Sequence, residues 1–159
     1  MHNFLINKIK KQLIIGFSKR AGRNFFGRKT IFTQGGGLKV KLRLLDFKRN
    51  FVGNALLLTI EKDINRTGFV GLVCYENGLF SYILLSSFIY SSGKTLITGF
   101  SNINKINSST FLLNIPTGSM IHHIEMYPGS NGILSRAAGT SSFIISKDND
   151  YTFLKMNSR

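Results

Sequence analysis

The chain has 159 residues, enough for one ordinary domain or two small ones, and its 43% of hydrophobic residues is within the range of folded proteins. Its 21 Lys and Arg residues outnumber 7 Asp and Glu residues, which gives a net charge of +14 and a pI near 10.3. These values exclude wholesale disorder and favour a polyanionic partner, because so large a charge repels itself within a compact chain unless anions neutralise it.

The positive charge is concentrated in the first fifty residues. They contain thirteen of the Lys and Arg residues and a single acid, Asp46. A basic arm that leads into a fold is typical of nucleic-acid binding. An anionic membrane surface is the weaker alternative, because the long uncharged run at residues 77–93 is broken by five serines and no membrane span is predicted.

The first twenty residues are basic and contain no acid. Their apolar residues Phe4, Leu5, Ile9 and Leu13 recur at roughly helical spacing, which predicts a short amphipathic helix. The segment is similar to a mitochondrial presequence in its charge. The interpretation we favour is a basic extension that stays in the mature protein.

The segment from Gly22 to Asn50 contains five glycines, which disfavour a helix. Three of them, at residues 35–37, are consecutive, and without Cβ atoms the backbone can come within hydrogen-bonding distance of a phosphate chain. Cations flank them on both sides, and Phe25 and Phe26 can stack on bases or wedge into a groove. The segment therefore predicts a nucleic-acid-binding arm, with a flexible, solvated basic linker as the alternative.

Beyond residue 37 the sequence has the pattern of short β-strands. Residues 38–44 alternate between basic and apolar side chains, which places the two kinds on opposite faces of a strand. Asn77 and Gly78 are expected to supply the two positive-φ positions of a type I′ hairpin turn. Further strands are predicted over residues 54–63, on both sides of this turn within residues 68–85, and over residues 94–100. Five strands with tight turns predict a small closed or partly open barrel.

A second group of strands is expected after a polar linker at residues 101–110. Strand patterns occur at residues 111–116, 119–128 and 133–156, and residues 147–150 are expected to turn the last two strands into a hairpin. Three or four strands leave an edge with unpaired N–H and C=O groups, so we expect this second unit to be incomplete.

The sequence offers little material for catalysis or metal binding. The Gly-Lys-Thr run at residues 93–95 is similar to the end of a phosphate-binding P-loop but lacks the upstream glycine and the strand-to-helix context. His122 and His123 are expected in an alternating strand, where they would point to opposite faces and could not share a metal. Cys74 reads as a buried structural thiol. We therefore predict no catalytic residues, no metal and no cofactor.

Three blocks of the sequence resemble the universal large-ribosomal-subunit protein L2 family. They are collinear from about residue 22 to the end, and they read GRNFFGRKTIFTQGGG…LLDFKRN, INRTGFVGLVCYENG…YIL and NIPTGSMIHHIEMYPGSNGILSRAAGTSSFIIS. The chain departs from the family pattern at Gln34 and Leu38, where the family often has histidines beside the triple glycine. His122 matches the motif histidine of the third block.

The resemblance implies a mostly β chain in three parts. They are a basic N-terminal extension at residues 1–29, an oligonucleotide-binding (OB) fold at residues 30–101, and the first part of an SH3-like barrel at residues 102–159. The family continues through the rest of that barrel and a glycine- and histidine-rich tail. We expect that a separate chain carries this missing half in a split form of the protein, with loss of the tail as the alternative.

The resemblance also implies a function, namely binding and stabilising large-subunit rRNA near the peptidyl-transferase region, beside neighbouring ribosomal proteins and without chemistry of its own. The residues expected to contact rRNA are Arg20, Arg23, Asn24, Phe25, Gly27, Arg28, Lys29, Gly35, Gly36, Gly37, Lys39, Lys41, Lys48, Arg49, Asn65, Arg66, His122 and Arg136. Residues encoded by A/T-rich codons are abundant, which favours an organellar genome and a mitochondrial ribosome, with a plastid-type or bacterial setting left open.

Two other functions remain open. One is a free RNA-binding module or RNA chaperone outside the ribosome, which would bind many RNAs with comparable affinity. The other is an enzyme acting on nucleic acid, whose turnover would depend on an acid such as Asp46 or Glu61.

Overall fold

The computed structural model describes residues 2–87, 89, 91–93, 95–98 and 108–158, and it leaves out the side chains of residues 2–4 and 97. The chain is mostly β, as predicted. In order, its elements are α1 (His2–Gln12), β1 (Ile14–Phe17), β2 (Val40–Arg43), β3 (Gly53–Lys62), β4 (Phe69–Tyr75), β5 (Phe80–Leu84), β6 (Thr95–Thr98), a 3-10 turn (Leu112–Asn114), β7 (Met120–Ile121), β8 (Ser142–Lys147) and β9 (Thr152–Met156). They divide into two units, Met1–Leu44 and Leu45–Arg159.

The first unit consists of α1, a long loop and a two-stranded antiparallel sheet. The predicted N-terminal helix is confirmed, but it ends at Gln12 because the next residues are used in strand pairing. Leu13 accepts a hydrogen bond from Leu44 N (2.9 Å), and β1 then pairs with β2 from Ile14↔Arg43 to Phe17↔Val40. Two lysines in the last turn of α1 lie where the helix dipole favours positive charge. The loop at residues 18–39 contains all five glycines of the arm.

The second unit begins with an antiparallel sheet in the order β5-β4-β3-β6. Its buried core consists of Ala55, Leu57, Val73, Tyr75, Ile83, Ile89 and Leu96. Alternate residues of β3 face this core, so Leu57 is fully buried while its neighbour Leu56 is 44% exposed. The strands predicted over residues 54–63 and on both sides of the turn within residues 68–85 are therefore confirmed as β3, β4 and β5, and β6 lies within the strand predicted over residues 94–100.

The hairpin between β4 and β5 turns differently from the prediction. Gly78 has a positive φ of +80°, but Asn77 does not, so the two residues do not form a type I′ turn. Tyr75 N donates to Leu79 O (2.9 Å) and Gly78 N donates to Tyr75 O (2.9 Å), which defines a three-residue loop with glycine in the left-handed position. The Asn77 side chain accepts a hydrogen bond from Leu79 N (3.1 Å) and stabilises this alternative turn.

The second sheet has the antiparallel order β7-β8-β9 and fits the first part of an SH3-like barrel. The predicted terminal hairpin is confirmed, and Asp148 N donates to Tyr151 O (2.8 Å) across its turn. Two strand predictions were wrong in part, one in the kind of structure and one in length. Residues 111–116 contain a 3-10 turn, and the strand at residues 119–128 is reduced to β7 because His123 has a φ of +57° and redirects the chain.

Residues 99–107, with most of the predicted polar linker, and Lys94 of the Gly-Lys-Thr run lie outside the described residues. Among the helices that the structure describes, none combines the length and apolar character needed to cross a bilayer.

Candidate nucleic-acid interface

Near its beginning, at residues 24–28, the arm makes a tight chain reversal that carries two phenylalanines. Asn24 N donates to Arg28 O (2.9 Å) and Gly27 N donates to Asn24 O (3.1 Å), while the Asn24 side chain accepts a hydrogen bond from Arg28 N (2.9 Å). Gly27 has a φ of +77°, which a residue with a Cβ adopts only with strain. Phe25 and Phe26 therefore occupy the tip of the loop, 89% and 82% exposed.

Gly22 anchors this reversal to the rest of the arm. Its carbonyl oxygen accepts hydrogen bonds from the backbone N–H groups of Thr30 (2.9 Å) and Ile31 (3.1 Å) and from the Thr30 hydroxyl (3.3 Å). A Cβ at residue 22 would collide with the backbone oxygen of Ile31, and the φ of +72° also favours glycine. The first glycine of the arm is thus required by packing within the protein.

The triple glycine has open surroundings. A Cβ at residue 35 would meet nothing within 4 Å, and at residues 36 and 37 it would make ordinary contacts of 3.4 Å and 3.6 Å. Gly37 alone of the three has a positive φ, of +59°. The backbone here is therefore accessible to a ligand, as the close approach of a phosphate chain requires.

The predicted RNA-contacting cations of the first unit are exposed, and that unit contains no acidic residue. Residues 1–44 contain no Asp or Glu. The predicted site residues Arg20, Arg23, Arg28, Lys29, Lys39 and Lys41 all belong to the exposed class. Lys29 Nζ lies 5.7 Å from the ring centre of Phe32, a cation–π distance. The first unit is therefore a strongly positive surface with aromatic rings beside the charges.

In the second unit, the Phe47 ring brings together residues that are far apart in the sequence. Arg66 Cζ lies 5.3 Å and Arg136 Cζ 5.1 Å from the ring centre. The ring of His123 packs edge-on against it at 5.6 Å between centroids. We call these four residues the Phe47 cluster. Sequence reasoning identified the two arginines but missed Phe47 and His123, for which no local pattern exists.

Both arginines line one open groove of the second unit. Its other polar lining residues are Asn65, Thr67, Ser135, Thr140, Ser141, Asn157 and Ser158. Arg66 is held at the base of its guanidinium by an ion pair, with Nε 3.7 Å from an oxygen of the buried Asp63. Asn65 N donates to the other Asp63 oxygen (3.4 Å). The groove thus presents two guanidinium groups at cation–π distance from one ring, in a lining that mixes hydroxyl and amide side chains with apolar ones.

Of the two adjacent histidines, only His123 belongs to the Phe47 cluster. His122 is exposed, whereas the half-buried His123 packs against Phe47 and over Gly132, where a Cβ would collide with the imidazole. Its Nε2 is buried without a hydrogen-bond partner among the described residues. Burial, followed by the charges of His122, Arg49 and Arg136, lowers the pKa of His123 to about 4, against a smaller opposing effect of Asp46. The imidazole is therefore neutral at physiological pH.

We expect the second unit to lose stability as the pH falls from 6.5 to about 4. In that interval His123 takes up a proton in the unfolded chain but not in the folded one, so protonation favours unfolding and removes about 2 kcal/mol of folding free energy. Above pH 6.5 the residue is neutral in both states and contributes no slope. Urea unfolding followed by tyrosine fluorescence at several pH values measures the effect.

His123→Asn is the matched control, since asparagine tolerates the left-handed backbone and does not titrate in this range. The variant should lose the part of the slope between pH 6.5 and 4 that the histidine contributes. Equal slopes in the two proteins would contradict the assignment.

The acids that could have served catalysis make structural hydrogen bonds. Asp46 Oδ1 accepts bonds from the backbone N–H groups of Lys48 (3.1 Å) and Arg49 (2.9 Å), which shapes the turn after β2. Glu61 accepts bonds from the hydroxyls of Thr59 (3.1 Å) and Tyr82 (3.2 Å). Within the described residues no group of three His, Cys, Asp or Glu side chains could hold a metal ion.

Arg49 differs from the exposed cations of the arm. It has a φ of +49°, and its Nε is buried without a hydrogen-bond partner among the described residues. Burial lowers the pKa of its guanidinium, against opposing effects of Tyr75 and Asp46. The neighbouring Lys48 is exposed.

Two family models match the chain. Residues 10–98 match that of Ribosomal Proteins L2, RNA binding N-terminal domain, and residues 105–159 match that of Ribosomal Proteins L2, C-terminal domain. The two matches leave out only residues 1–9 and 99–104. They follow the same order as the two sheets of the second unit, and the first match includes the whole arm.

Proposed function

The chain belongs to the ribosomal protein L2 family, whose members are structural proteins of the large ribosomal subunit, and on this premise we propose that it binds and stabilises large-subunit rRNA near the peptidyl-transferase region and supports assembly of the subunit. The observation that carries the proposal is the Phe47 cluster, in which one ring holds two guanidinium groups at the wall of an open groove. No step of chemistry is assigned to the protein itself.

Ring stacking prepares both arginines for phosphate. A guanidinium on an aromatic face still has its N–H edge available, and its planar fork matches two phosphate oxygens. Because Phe47 and the ion pair to Asp63 restrict Arg66 before RNA arrives, less side-chain entropy is lost on binding. The hydroxyl and amide side chains of the groove can donate further hydrogen bonds to phosphate or to 2′-hydroxyls.

The arm of the first unit adds affinity of a less directional kind. Six exposed cations of the predicted site lie within residues 1–44, a stretch without Asp or Glu. Each phosphate that they neutralise releases condensed counterions, and this release favours association. The open triple glycine lets backbone N–H groups approach the same phosphates.

We expect binding of the full chain to a large-subunit rRNA fragment to be strongly salt-dependent. The log–log slope of the association constant against salt should be about −0.7 to −0.9 for each neutralised phosphate, or about −5 for six. Affinity should then fall about 1,000-fold between about 50 and 200 mM salt, as measured by filter binding. A slope near zero would contradict a phosphate-directed mode.

Sedimentation of a native lysate on a gradient separates this function from its main alternative. Stoichiometric recovery of the chain in the large ribosomal subunit, resistant to moderate salt, is the expected result. Recovery only in light fractions, with comparable affinity for many RNAs, would instead favour a free RNA-binding module or chaperone. Chemical crosslinking within the recovered particle then tests proximity to the peptidyl-transferase region.

The same particle tests two further proposals, the cellular compartment of the protein and the presence of a companion chain. The abundance of residues encoded by A/T-rich codons, with 14 Phe and no Trp, supports a mitochondrial ribosome. Recovery from purified mitochondria is the expected outcome, and recovery from another compartment would overturn it. Mass spectrometry of the proteins in the particle will show whether a companion chain carries the remainder of the family sequence.

A further inference from the structure

Three phenylalanines of the arm are far more exposed than aromatic side chains in a folded unit usually are. Phe25, Phe26 and Phe32 are 89%, 82% and 78% exposed. Burying a phenylalanine side chain is worth about 1.5–3 kcal/mol, and none of the three gains this within its own unit. Exposed apolar surface of this kind marks an interaction site.

The chain reversal at the tip shows that the exposure of Phe25 and Phe26 is built into the local structure. They occupy the two central positions of a turn, where Gly, Pro, Asn and Asp are the usual residues. The hydrogen bonds of Asn24 and the positive φ of Gly27 define the turn without any contribution from the rings. The turn therefore presents the two aromatic groups outwards and keeps them there.

The geometry of the rings fits unpaired nucleobases. Phe25 and Phe26 stand at 84° to one another with centroids 5.7 Å apart, so they cannot both lie flat on the same base. Each ring can instead stack on a base of its own, which requires two bases that are splayed apart. Bases in a duplex have no free face for such a contact, whereas loops, bulges and single strands do.

Phe32 shows how a base and a phosphate would be bound together. Lys29 Nζ lies 5.7 Å from the ring centre, so a cation already lies beside one face and the other remains for a base. A base stacked there has its own phosphate near the ammonium group. Insertion of the ring into a lipid bilayer would carry the same ammonium towards the hydrocarbon, which is unfavourable.

We propose that Phe25, Phe26 and Phe32 form a stacking site for unpaired bases of RNA, distinct from the phosphate-directed groove at the Phe47 cluster. The proposal rests on the proposed rRNA-binding function and specifies the part of the RNA that the arm recognises. The arm would then bind RNA loops and single-stranded junctions. It would have little sequence preference, because every base has a π-face.

The test compares the binding of the full chain to two fluorescein-labelled RNAs of about 12 nucleotides, an oligoadenylate and an abasic strand with the same phosphates. Each stacked base contributes about 10-fold in affinity. Wild type should therefore bind oligoadenylate at least about 10-fold more tightly than the abasic strand. The double variant Phe25→Leu and Phe26→Leu should remove most of this preference and Phe32→Leu alone a smaller part of it, while both keep the affinity for the abasic strand.

Leu38→Ala is the matched control, because Leu38 belongs to the same loop, is 88% exposed and has no ring. It should leave the preference unchanged. Equal losses for the phenylalanine variants and the control, or equal binding of both RNAs by wild type, would overturn the stacking site but leave phosphate-directed binding intact. Absence of binding to either RNA and to large-subunit rRNA would overturn the proposed function as well.

Vesicles that contain an anionic phospholipid provide the remaining comparison. We expect the phenylalanine substitutions to change vesicle binding by less than a factor of about 2, since electrostatics alone attracts the arm to such a surface. If the substitutions abolish vesicle binding and leave oligoadenylate binding unchanged, the rings are a membrane contact and the proposal fails.

Discussion

Replacing both Arg66 and Arg136 with alanine is expected to weaken binding to large-subunit rRNA at least about 100-fold. The two guanidinium groups line the same groove, and hydrogen bonds to charged groups contribute about 1.5–3 kcal/mol each, so their joint loss costs about 3–6 kcal/mol. Two phosphate contacts fewer should also reduce the salt slope by about 1.5. Filter binding over a range of salt concentrations measures both quantities in one experiment.

Two comparisons show whether the arginines act through charge or through geometry. Replacing both with lysine keeps the charge but removes the planar fork and the stacking on Phe47, so we expect an affinity between those of wild type and the alanine variant. Lys155→Ala removes one exposed cation of β9 that does not line the groove, and should change affinity less than about 5-fold. An equal loss from Lys155→Ala would show that only total charge matters.

Folding must be verified for the arginine variants, because Arg66 is also the ion-pair partner of the buried Asp63. Arg66→Ala removes that partner, and a destabilised variant would bind less RNA simply because less of it is folded. Arg136→Ala has no such ion pair in the described structure. A loss of affinity shared by the two single variants, with native tyrosine fluorescence in both, is therefore the evidence that the groove binds RNA.

Much of the fold follows from local sequence patterns. β3 begins with a local alternation of period two, and β4 and β5 are short apolar runs on either side of a turn, so the three strands could be predicted. The geometry of the turns was harder to predict from the sequence. The Asn77-Gly78 pair suits a type I′ turn, but the hydrogen bond from Leu79 N to the Asn77 side chain accompanies a different one, and competing turns differ little in energy.

The candidate site also has one part that local sequence predicts and one part that it does not. The cations and phenylalanines of the arm are adjacent in sequence, so composition alone identified them as a nucleic-acid-binding segment. The Phe47 cluster joins residues 47, 66, 123 and 136, which only tertiary folding brings together. The positive φ of His123 ends β7 early and turns its ring to Phe47, and a strand pattern read along the sequence cannot reveal such a local bend.

The largest effect on stability is expected from Leu57→Ala. Leu57 is fully buried in β3, and a Cβ on Gly71 of the neighbouring strand would lie 2.5 Å from its Cδ1, so its methyl groups fill the space that this glycine leaves. Truncation to alanine removes apolar burial and leaves a cavity in a packed core, which costs about 3 kcal/mol. The free energy of unfolding should fall by that amount in urea titrations.

Tyrosine fluorescence makes this measurement specific to the second unit, because all five tyrosines of the chain follow residue 44 and there is no tryptophan. Leu56→Ala is the matched control in the same strand. Its side chain is 44% exposed, so we expect it to cost less than about 1 kcal/mol. Similar losses at both positions would mean that β3 does not face the core as described. Since Leu57 is absent from the groove lining, its variant should retain wild-type rRNA affinity wherever it remains folded, which separates a loss of stability from the loss of binding expected for the arginine pair.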